Sequence, residues 1–229
     1  MAGFDLIIFD CDGVLVDSEI IAAQVESKLL TEIGYPIETA DMAERFAGMS
    51  WKNILLAVEK EADIPIPARL LDSTEKLLDE KLARDVKAIP GVGQAVARID
   101  LPRCVCSNSS SKRLKAMLTR TGAYDLFAPH IFSARDVGEK RTKPAPDIFH
   151  HAAKVMQADP AKTLVIEDSI HGVEGATAAG MRVVGFTGAS HSYRSHADHL
   201  TEAGAETVIN RLTDLPPVVV ALSEWSERF

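Results

Sequence analysis

Residues 5–13 read DLIIFDCDG, a nearly continuous apolar run followed at once by two acidic residues and a glycine. A short apolar run of this kind is typical of a strand buried on both faces of a parallel sheet. Asp10 and Asp12 stand two residues apart, so both side chains lean to the same side of an extended backbone, and Gly13 permits a sharp departure after them. Two carboxylates at the end of a buried strand are costly without a cation. The stretch therefore predicts an α/β core with an acidic edge.

Two other interpretations apply to the acidic pair. A lone Asp-x-Asp-Gly sequence is common in ordinary turns, because Asp and Gly both favour turn conformations. A calcium loop of the EF-hand type needs its glycine at the sixth position, whereas Gly13 is fourth when counted from Asp10. The calcium loop is excluded, and the turn remains as the alternative.

Further apolar runs alternate with helical patterns along the chain. They cover residues 103–106, 164–166 and 182–186, and the intervening segments carry apolar residues at helical spacing, such as Leu114, Met117 and Leu118. Strands that alternate with helices indicate β-α-β units and a doubly wound parallel sheet. The predicted fold class is α/β.

The segment from residue 18 to residue 86 interrupts this alternation, because it contains helical patterns and no convincing strand. Its apolar positions form three stripes, namely Ile21, Val25, Leu29 and Ile33; Trp51, Ile54, Leu55 and Val58; and Leu71, Leu78 and Leu82. We predict that residues 1–17 and 87–229 form the α/β core and that residues 18–86 form an inserted helical domain. The core resumes at Pro90-Gly91.

Three further polar segments accompany the later part of the sheet: Ser107-Asn108-Ser109, Lys143-Pro144-Ala145-Pro146-Asp147 and Glu167-Asp168-Ser169. The first can offer hydroxyl and backbone N–H groups to an anion at a helix N-terminus. The prolines of the second hold Lys143 on a stiff connection. The third places acids at the end of a buried strand, with Ser169 as a helix N-cap. Each segment taken alone is also explained as a helix cap or turn.

Composition excludes several classes of protein. The 229-residue chain is 46% hydrophobic and 25% charged, with a formal net charge of -8, so it is expected to fold and not to bind nucleic acid. No apolar run approaches the roughly 18 residues of a membrane-spanning helix. Asp5 lies where a signal peptide requires an apolar core, so we expect a cytoplasmic protein. We also expect it to be either a monomer or a weak homodimer. The three cysteines lack disulfide or zinc spacing and are interpreted as reduced thiols.

A glycine-rich stretch and the histidines are not assigned a binding role. Residues 91–96 imitate a dinucleotide-binding glycine pattern, but Val96 replaces the third glycine and no buried strand leads into it, so we predict a helix start. None of the seven histidines shows metal-ligand spacing, and none is assigned a role, although His171 is close to the predicted site.

The four motifs together resemble those of the haloacid dehalogenase superfamily, in its branch of phosphatases and β-phosphoglucomutase-like enzymes. The resemblance covers nearly the whole chain and rests on the residues 9–18, 107–109, 143–147 and 167–169, with Gly172 and Gly180 beyond. It implies a Rossmann-like core of the haloacid dehalogenase type and makes the helical insert the cap domain of the family.

The resemblance also implies a mechanism and a cofactor. Asp10 would attack phosphorus to form an aspartyl-phosphate, and Asp12 would act as general acid and base. Mg²⁺ would be bound by Asp10, the Asp12 backbone carbonyl and Asp168, with Glu167 either a ligand or an orienting group. Lys143 would pair with the nucleophile. Ser107 and the Asn108 N–H group would hold phosphate oxygens.

Within the family, the sequence favours a phosphatase that acts on a small phosphorylated metabolite. Asp12 supplies the proton donor that an alcohol leaving group needs and a carbon–halogen hydrolase does not. A phosphosugar mutase is the alternative, but Ala22, Ala47 and Trp51 stand where β-phosphoglucomutases carry a histidine and basic residues. A catalytically silent binding module is a further alternative, which would have lost an acid or the lysine.

The cap region looks most like that of bacterial 6-phosphogluconate phosphatases. The resemblance lies in the sequence Arg45-Phe46-Ala47-Gly48, in the first motif and in the helix at residues 149–154. The predicted substrate is therefore a sugar or sugar-acid phosphate. We predict that Arg45, Gly48, Met49 and Trp51 set substrate preference.

Overall fold

The computed structural model describes residues 3–46, 49–67 and 69–226. These residues form a six-stranded parallel sheet in the strand order β3-β2-β1-β4-β5-β6. The strands are β1 (Leu6–Phe9), β2 (Arg103–Ser107), β3 (Ile131–Ser133), β4 (Thr163–Glu167), β5 (Arg182–Phe186) and β6 (Thr207–Ile209). The prediction of a doubly wound parallel sheet is confirmed. Two strands, β3 and β6, were not predicted from the sequence.

Both faces of the sheet are covered by helices. Along β1, Ile7 and Phe9 belong to one apolar cluster, whereas Leu6 and Ile8 belong to the cluster on the opposite face. The first face packs against α5 (Val92–Ala97), α6 (Ser111–Arg120), α7 (Tyr124–Phe127) and α11 (Leu215–Ser226). The second packs against α8 (Asp147–Met156), α9 (Ile170–Ala178) and α10 (His196–Glu202). Two-sided burial explains why the strand carries no polar alternation.

The order of the strands creates a crevice beside β1. The chain passes from β1 outward to β2 and β3, and then returns to place β4 on the other side of β1. The carboxyl ends of β1 and β4 are therefore neighbours from which the helical connections leave in opposite directions. Open α/β sheets bind ligands at such a point.

In the described part of the chain between β1 and α5, four helices are present. They are α1 (Glu19–Glu32), α2 (Thr39–Arg45), α3 (Trp51–Ala62) and α4 (Arg69–Asp85), and they enclose an apolar cluster of their own. The two chain connections lie side by side: the N–H of Asp17 donates to the carbonyl of Lys87 at 2.9 Å, and Val16 pairs with Ala88. This arrangement is the one expected of an inserted domain, and the boundaries 18–86 stay a prediction.

The predicted apolar stripes of the insert match most of the observed packing. Ile54, Leu55 and Val58 of α3 are buried as predicted. On α4 the stripe is wrong at one position, because Leu71 is 37% exposed while its neighbour Leu70 is buried. Leu71 instead lines the cleft described below.

Two other expectations concern the chain as a whole. In the described residues, no helix combines the length and the apolar character that crossing a membrane requires. Cys11, Cys104 and Cys106 are all buried free thiols, and Cys11 packs in the apolar core as its position between two acids predicts.

Candidate active site

The carboxyl end of β1 places Asp10 against the centre of the sheet. Its backbone N–H donates to the carbonyl oxygen of Ile166 on β4 at 2.9 Å, which extends the pairing of the two strands by one residue. The side chain is buried, and its Oδ1 accepts a hydrogen bond from Lys143 Nζ at 2.5 Å. The structure therefore brings together two site residues that are 133 positions apart in the chain.

Lys143 is held by three acceptors at once. Its Nζ donates to Asp10 Oδ1 at 2.5 Å, to Glu167 Oε1 at 2.5 Å and to the carbonyl oxygen of Cys106 at 2.7 Å. Burial alone would lower the pKa of Lys143, but the charges of Asp10 and Glu167 outweigh it and hold that pKa above its ordinary value. Lys143 is therefore a permanent cation with a fixed orientation.

Asn108 fixes the loop that carries this lysine. Its side-chain Oδ1 accepts from the backbone N–H of Lys143 at 2.9 Å, and its own carbonyl accepts from Arg135 Nε at 3.0 Å. The amide side chain of Asn108 thus links the carboxyl end of β2 to the loop before α8.

Asp12 is oriented by two hydroxyl groups. Ser18 Oγ donates to its Oδ1 at 2.8 Å, and Ser107 Oγ donates to its Oδ2 at 2.9 Å. Ser107 Oγ also accepts from the N–H of Ser109 at 2.9 Å, which fixes the direction of its proton. The hydroxyl of Ser107, which was predicted to hold a phosphate oxygen, donates in this structure to Asp12.

The carboxyl end of β4 supplies Glu167 and Asp168. Glu167 is fully buried, with Oε1 on Lys143 and Oε2 accepting from the hydroxyl of Ser169 at 3.1 Å. Ser169 also caps α9, as predicted, by accepting from the N–H of Gly172 at 3.0 Å. A Cβ at Gly172 would lie 2.0 Å from the Glu167 carboxylate, so only glycine lets α9 approach this acid.

Gly13 likewise allows a close approach, in this case to Asp168. It has a φ of +75°, which side-chain-bearing residues rarely adopt, and a Cβ there would lie 1.7 Å from Asp168 Oδ2. The sharp turn predicted after Asp12 is therefore also a close contact between the first and last motifs.

Asp10, Glu167 and Asp168 form a buried acidic cluster. One carboxylate oxygen from each lies within 4.8 Å of the others, and Lys143 is the cation in contact with two of them. Burial raises the pKa of Asp10, the charge of Lys143 opposes this shift, and the charges of Glu167 and Asp168 add to it. Burial also raises the pKa of Glu167. Three hard oxygen donors with an excess of negative charge fit a divalent cation.

These residues lie in a cleft of about 730 Å³ between the sheet and the four inserted helices. Met49 and Trp51 line it on the helical side, as the predicted specificity role requires. Arg45 does not line it: its guanidinium contacts Glu61 and donates to Tyr35 Oη at 2.6 Å. The prediction for Arg45 therefore lacks geometric support, and Gly48 lies outside the described residues.

Sequence reasoning missed several residues of the cleft. On α1, Glu19 and Glu26 are seven positions apart and line the same wall. Enclosure between the sheet and the inserted helices raises the pKa of Glu19 to about 7 and that of Glu26 to about 8, although Glu19 is exposed toward the open cleft. The seven-residue spacing was a usable signal, because it places both acids on one helix face.

Two histidines also contact the acidic cluster. His191 Nε2 lies 3.3 Å from Asp168 Oδ2, and His196 Nε2 lies 2.6 Å from the carbonyl oxygen of Asp168. Burial alone would lower the pKa of His191, but the hydrogen bond to Asp168, with the charges of Asp168, Glu19 and Asp17, raises it to about 9. No spacing in the sequence indicated either contact.

Comparison with known proteins places these motifs in a family. The model of a family described as haloacid dehalogenase-like hydrolase matches residues 4–180. The 6-phosphogluconate phosphatase of Escherichia coli K12 is 28% identical over 196 residues, which are 84% of this chain and 86% of that protein.

Two solved structures share the whole architecture. A haloacid dehalogenase-like protein of Agrobacterium tumefaciens C58 is 66% identical, with a TM-score of 0.93 over 96% of this chain and all of that one. A hydrolase of the same family from Deinococcus radiodurans R1, crystallised with bound phosphate and sodium, is 32% identical, with a TM-score of 0.82 over 98% of each chain.

Proposed function

This chain belongs to the haloacid dehalogenase-like hydrolase family and is a phosphoric monoester hydrolase, and we propose that it works through a covalent phosphoryl intermediate on Asp10. The observation that carries the proposal is the buried contact of Asp10 with Lys143 at the floor of the cleft. A carboxylate with a fixed orientation beside a permanent cation suits in-line attack on a phosphoryl group. The substrate is a small phosphorylated metabolite.

In the first step, a carboxylate oxygen of Asp10 forms a bond to phosphorus while the ester P–O bond breaks. The leaving oxygen takes the bond's electron pair and a proton from Asp12, which the contacts with Ser18 and Ser107 hold next to Asp10. In the second step, the Asp12 carboxylate takes a proton from water, whose oxygen attacks phosphorus and releases Asp10. Asp12 thus ends the cycle in its starting protonation state.

Lys143 stabilises the phosphoryl group during both steps. Its charge lies in contact with Asp10, so it is adjacent to any phosphoryl group bonded to that side chain. Asn108 acts here through its hydrogen bond to the backbone of Lys143, and Ser107 acts by orienting Asp12. Backbone N–H groups after β2 remain the proposed donors to the phosphate oxygens.

The acidic cluster would hold Mg²⁺. Asp10 and Asp168 would provide carboxylate ligands, together with the backbone carbonyl of Asp12. Glu167 is better placed to orient Lys143, because both of its carboxylate oxygens already accept hydrogen bonds. When bound, the cation supplies charge that offsets repulsion between an anionic nucleophile and an anionic phosphate. The Deinococcus relative was crystallised with bound phosphate and sodium, which supports a fold that binds both an anion and a cation.

The substrate we propose is a phosphorylated sugar or sugar acid. The Escherichia coli relative is named for 6-phosphogluconate, and a cleft of about 730 Å³ is within the usual range for a small-molecule site. Ala22, which the family resemblance matches to the cap histidine of β-phosphoglucomutases, lines the cleft with a methyl group. This feature supports a hydrolase over a phosphosugar mutase.

The experiment that tests the function is a screen of phosphorylated metabolites with Mg²⁺, in which inorganic phosphate release is measured. We expect release from several sugar or sugar-acid phosphates and from p-nitrophenyl phosphate. Interconversion of sugar phosphate isomers without phosphate release would support the mutase. Binding of a sugar phosphate without any turnover would support a silent binding module.

Removal of divalent cations should abolish turnover. With a chelator in excess we expect phosphate release to fall to background and to return on addition of Mg²⁺, because the buried acids then regain their counter-charge. The Asp168→Ala variant should need a higher Mg²⁺ concentration or fail to turn over. Full activity in the presence of the chelator would show that the cluster binds no catalytic metal.

Residues that line the helical wall should govern substrate preference. Replacing Trp51 or Met49 with alanine should lower kcat/KM for the preferred metabolite by about 10-fold or more, since a lost apolar contact in a pocket costs this much. Hydrolysis of p-nitrophenyl phosphate should change much less.

Arg45→Ala is the matched control for these variants. Arg45 belongs to the same predicted specificity loop, but it pairs with Glu61 away from the cleft. We expect the ranking of substrates to stay unchanged in this variant. An equal loss on every phosphate ester in the Trp51 variant would place that residue in the general chemistry instead.

A further inference from the structure

The segment that follows β5 contributes two histidines that the proposed chemistry does not use. His191 lies in the loop before α10, and His196 is the first residue of that helix. Their Nε2 atoms contact two different atoms of one residue: His191 contacts the carboxylate Oδ2 of Asp168, and His196 contacts its backbone oxygen. Asp168 is therefore held at both its side chain and its main chain.

Both rings are themselves held in place. His196 is buried, stacks on Tyr193 with ring centroids 4.8 Å apart, and has its Nδ1 3.2 Å from Ser192 Oγ. Because a carbonyl oxygen only accepts hydrogen bonds, His196 Nε2 is the donor to Asp168. The ring of His191 packs edge-on against His196, with a centroid distance of 5.6 Å.

The same loop is tied to the other side of the site. Ser190 donates to the Asp17 carboxylate from its N–H at 3.0 Å and from its hydroxyl at 2.5 Å. A Cβ at Gly13 would also lie 3.0 Å from His191 Cε1. His191 therefore rests on the turn that follows Asp12, and His196 is held against it through the packing of the two rings.

These contacts restrict Asp168 to one orientation. Oδ2 is 3.3 Å from His191 Nε2, and it lies so close to Gly13 that a Cβ there would come within 1.7 Å of it. Within the described residues, Oδ1 has no hydrogen-bond partner, so it is the oxygen left for a cation. In metalloenzymes, replacing a residue that fixes the orientation of a metal ligand commonly lowers metal affinity by about 10- to 100-fold.

We propose that His191 and His196 are positioning residues that hold Asp168 in the orientation that binds the divalent cation. The inference rests on the proposed role of Asp168 as a metal ligand. Neither histidine is a ligand in this arrangement, because each directs its Nε2 to Asp168.

The test is direct measurement of Mg²⁺ binding by isothermal titration calorimetry, with no substrate present. We expect the His191→Leu variant to bind Mg²⁺ about 10-fold or more weakly than the unmodified protein. His191→Gln keeps an N–H donor on a side chain of similar reach, so it should recover most of the lost affinity. Thermal unfolding with a chelator confirms that each variant is folded. At the second position, His196→Leu should also weaken Mg²⁺ binding, and His196→Gln, which keeps an N–H donor for the Asp168 carbonyl, should recover most of the affinity.

His171→Leu is the matched control. His171 lines the same cleft, but its charged neighbour is Glu174, 3.6 Å away, and no hydrogen bond or ion pair joins it to Asp168 in the described part of the chain. Its Mg²⁺ affinity should equal that of the unmodified protein. Unchanged affinity in His191→Leu would overturn the inference, and so would an equal loss in the leucine and glutamine variants, because packing would then explain it.

The failure of this inference is distinguishable from failure of the metal assignment itself. If the unmodified protein binds Mg²⁺ and Asp168→Ala does not, the metal role of Asp168 stands whatever the histidine variants show. If the unmodified protein binds no Mg²⁺, or Asp168→Ala binds it normally, both proposals are wrong.

Discussion

Replacing Asp10 with asparagine should abolish phosphate release, with a loss in kcat on the order of 10⁶-fold, as when other enzymes lose their nucleophile. The amide keeps the shape of the side chain but lacks the charge that attacks phosphorus and attracts Lys143. The measurement is phosphate release from p-nitrophenyl phosphate at saturating Mg²⁺, over hours, against a heat-denatured sample.

The matched control for this variant is Asp5→Asn. Asp5 is an exposed acid just before β1, so the same change of chemistry there should leave kcat unchanged. Thermal unfolding should show that the Asp10→Asn protein remains folded. A folded Asp10→Asn protein that kept its turnover within about 10-fold of the unmodified enzyme would exclude Asp10 as the nucleophile. So small a loss in rate is what the loss of a single contact causes.

Replacing Lys143 with methionine should eliminate activity and also destabilise the fold. The change leaves the buried carboxylates of Asp10 and Glu167 without their cation, and breaking a buried ion pair on one side costs about 3–5 kcal/mol. Urea denaturation at pH 8 measures the free energy of unfolding. Lys154→Met, on the exposed surface of α8, should change it by less than about 0.5 kcal/mol.

The instability of the Lys143→Met protein should depend on pH. Burial already raises the pKa of Asp10 and of Glu167 above the ordinary values of 3.8 and 4.5, and loss of the lysine removes the main force that opposes this shift. The folded variant then binds more protons than the unfolded chain above those ordinary values, so its stability falls as pH rises. We expect the deficit to shrink between pH 8 and pH 5. A deficit that is constant over this range would mean that lost packing is its cause.

The central strands were predictable from sequence because burial on both faces produces an unmistakable apolar run. β1, β2, β4 and β5 all have this character, whereas β3 and β6 are three-residue strands at the edges of the sheet. Ile131 and Val208 are only partly buried, so edge strands of this length leave little hydrophobic signal.

The acids of the site were also predictable, because parallel strands bring their carboxyl ends to one edge. The contact of Lys143, which lies in the loop before α8, with Asp10 was expected from the family resemblance. The partners of each side chain were not predictable. Ser107, for example, donates to Asp12, a contact that depends on the rotamers of two residues 95 positions apart.

The positions of Arg45 and His191 depended on loop geometry that no sequence pattern encodes. Arg45 ends α2, and the helix direction there takes its guanidinium to Glu61 on α3 and away from the cleft. His191 reaches Asp168 only because the loop after β5 folds back over Gly13. Loop conformations of this kind are set by tertiary contacts, here by the tie between Ser190 and Asp17.

The most direct measurement is mass spectrometry of an acid-quenched Asp12→Asn enzyme after brief reaction with a phosphorylated substrate. This variant lacks the base that activates water, so the covalent intermediate should persist once formed from a substrate with a good leaving group, such as p-nitrophenyl phosphate. We expect the mass of one phosphoryl group on the peptide that contains Asp10, and none in a parallel sample of Asp10→Asn. A label on any other residue, or no label despite phosphate release, would contradict the covalent role of Asp10.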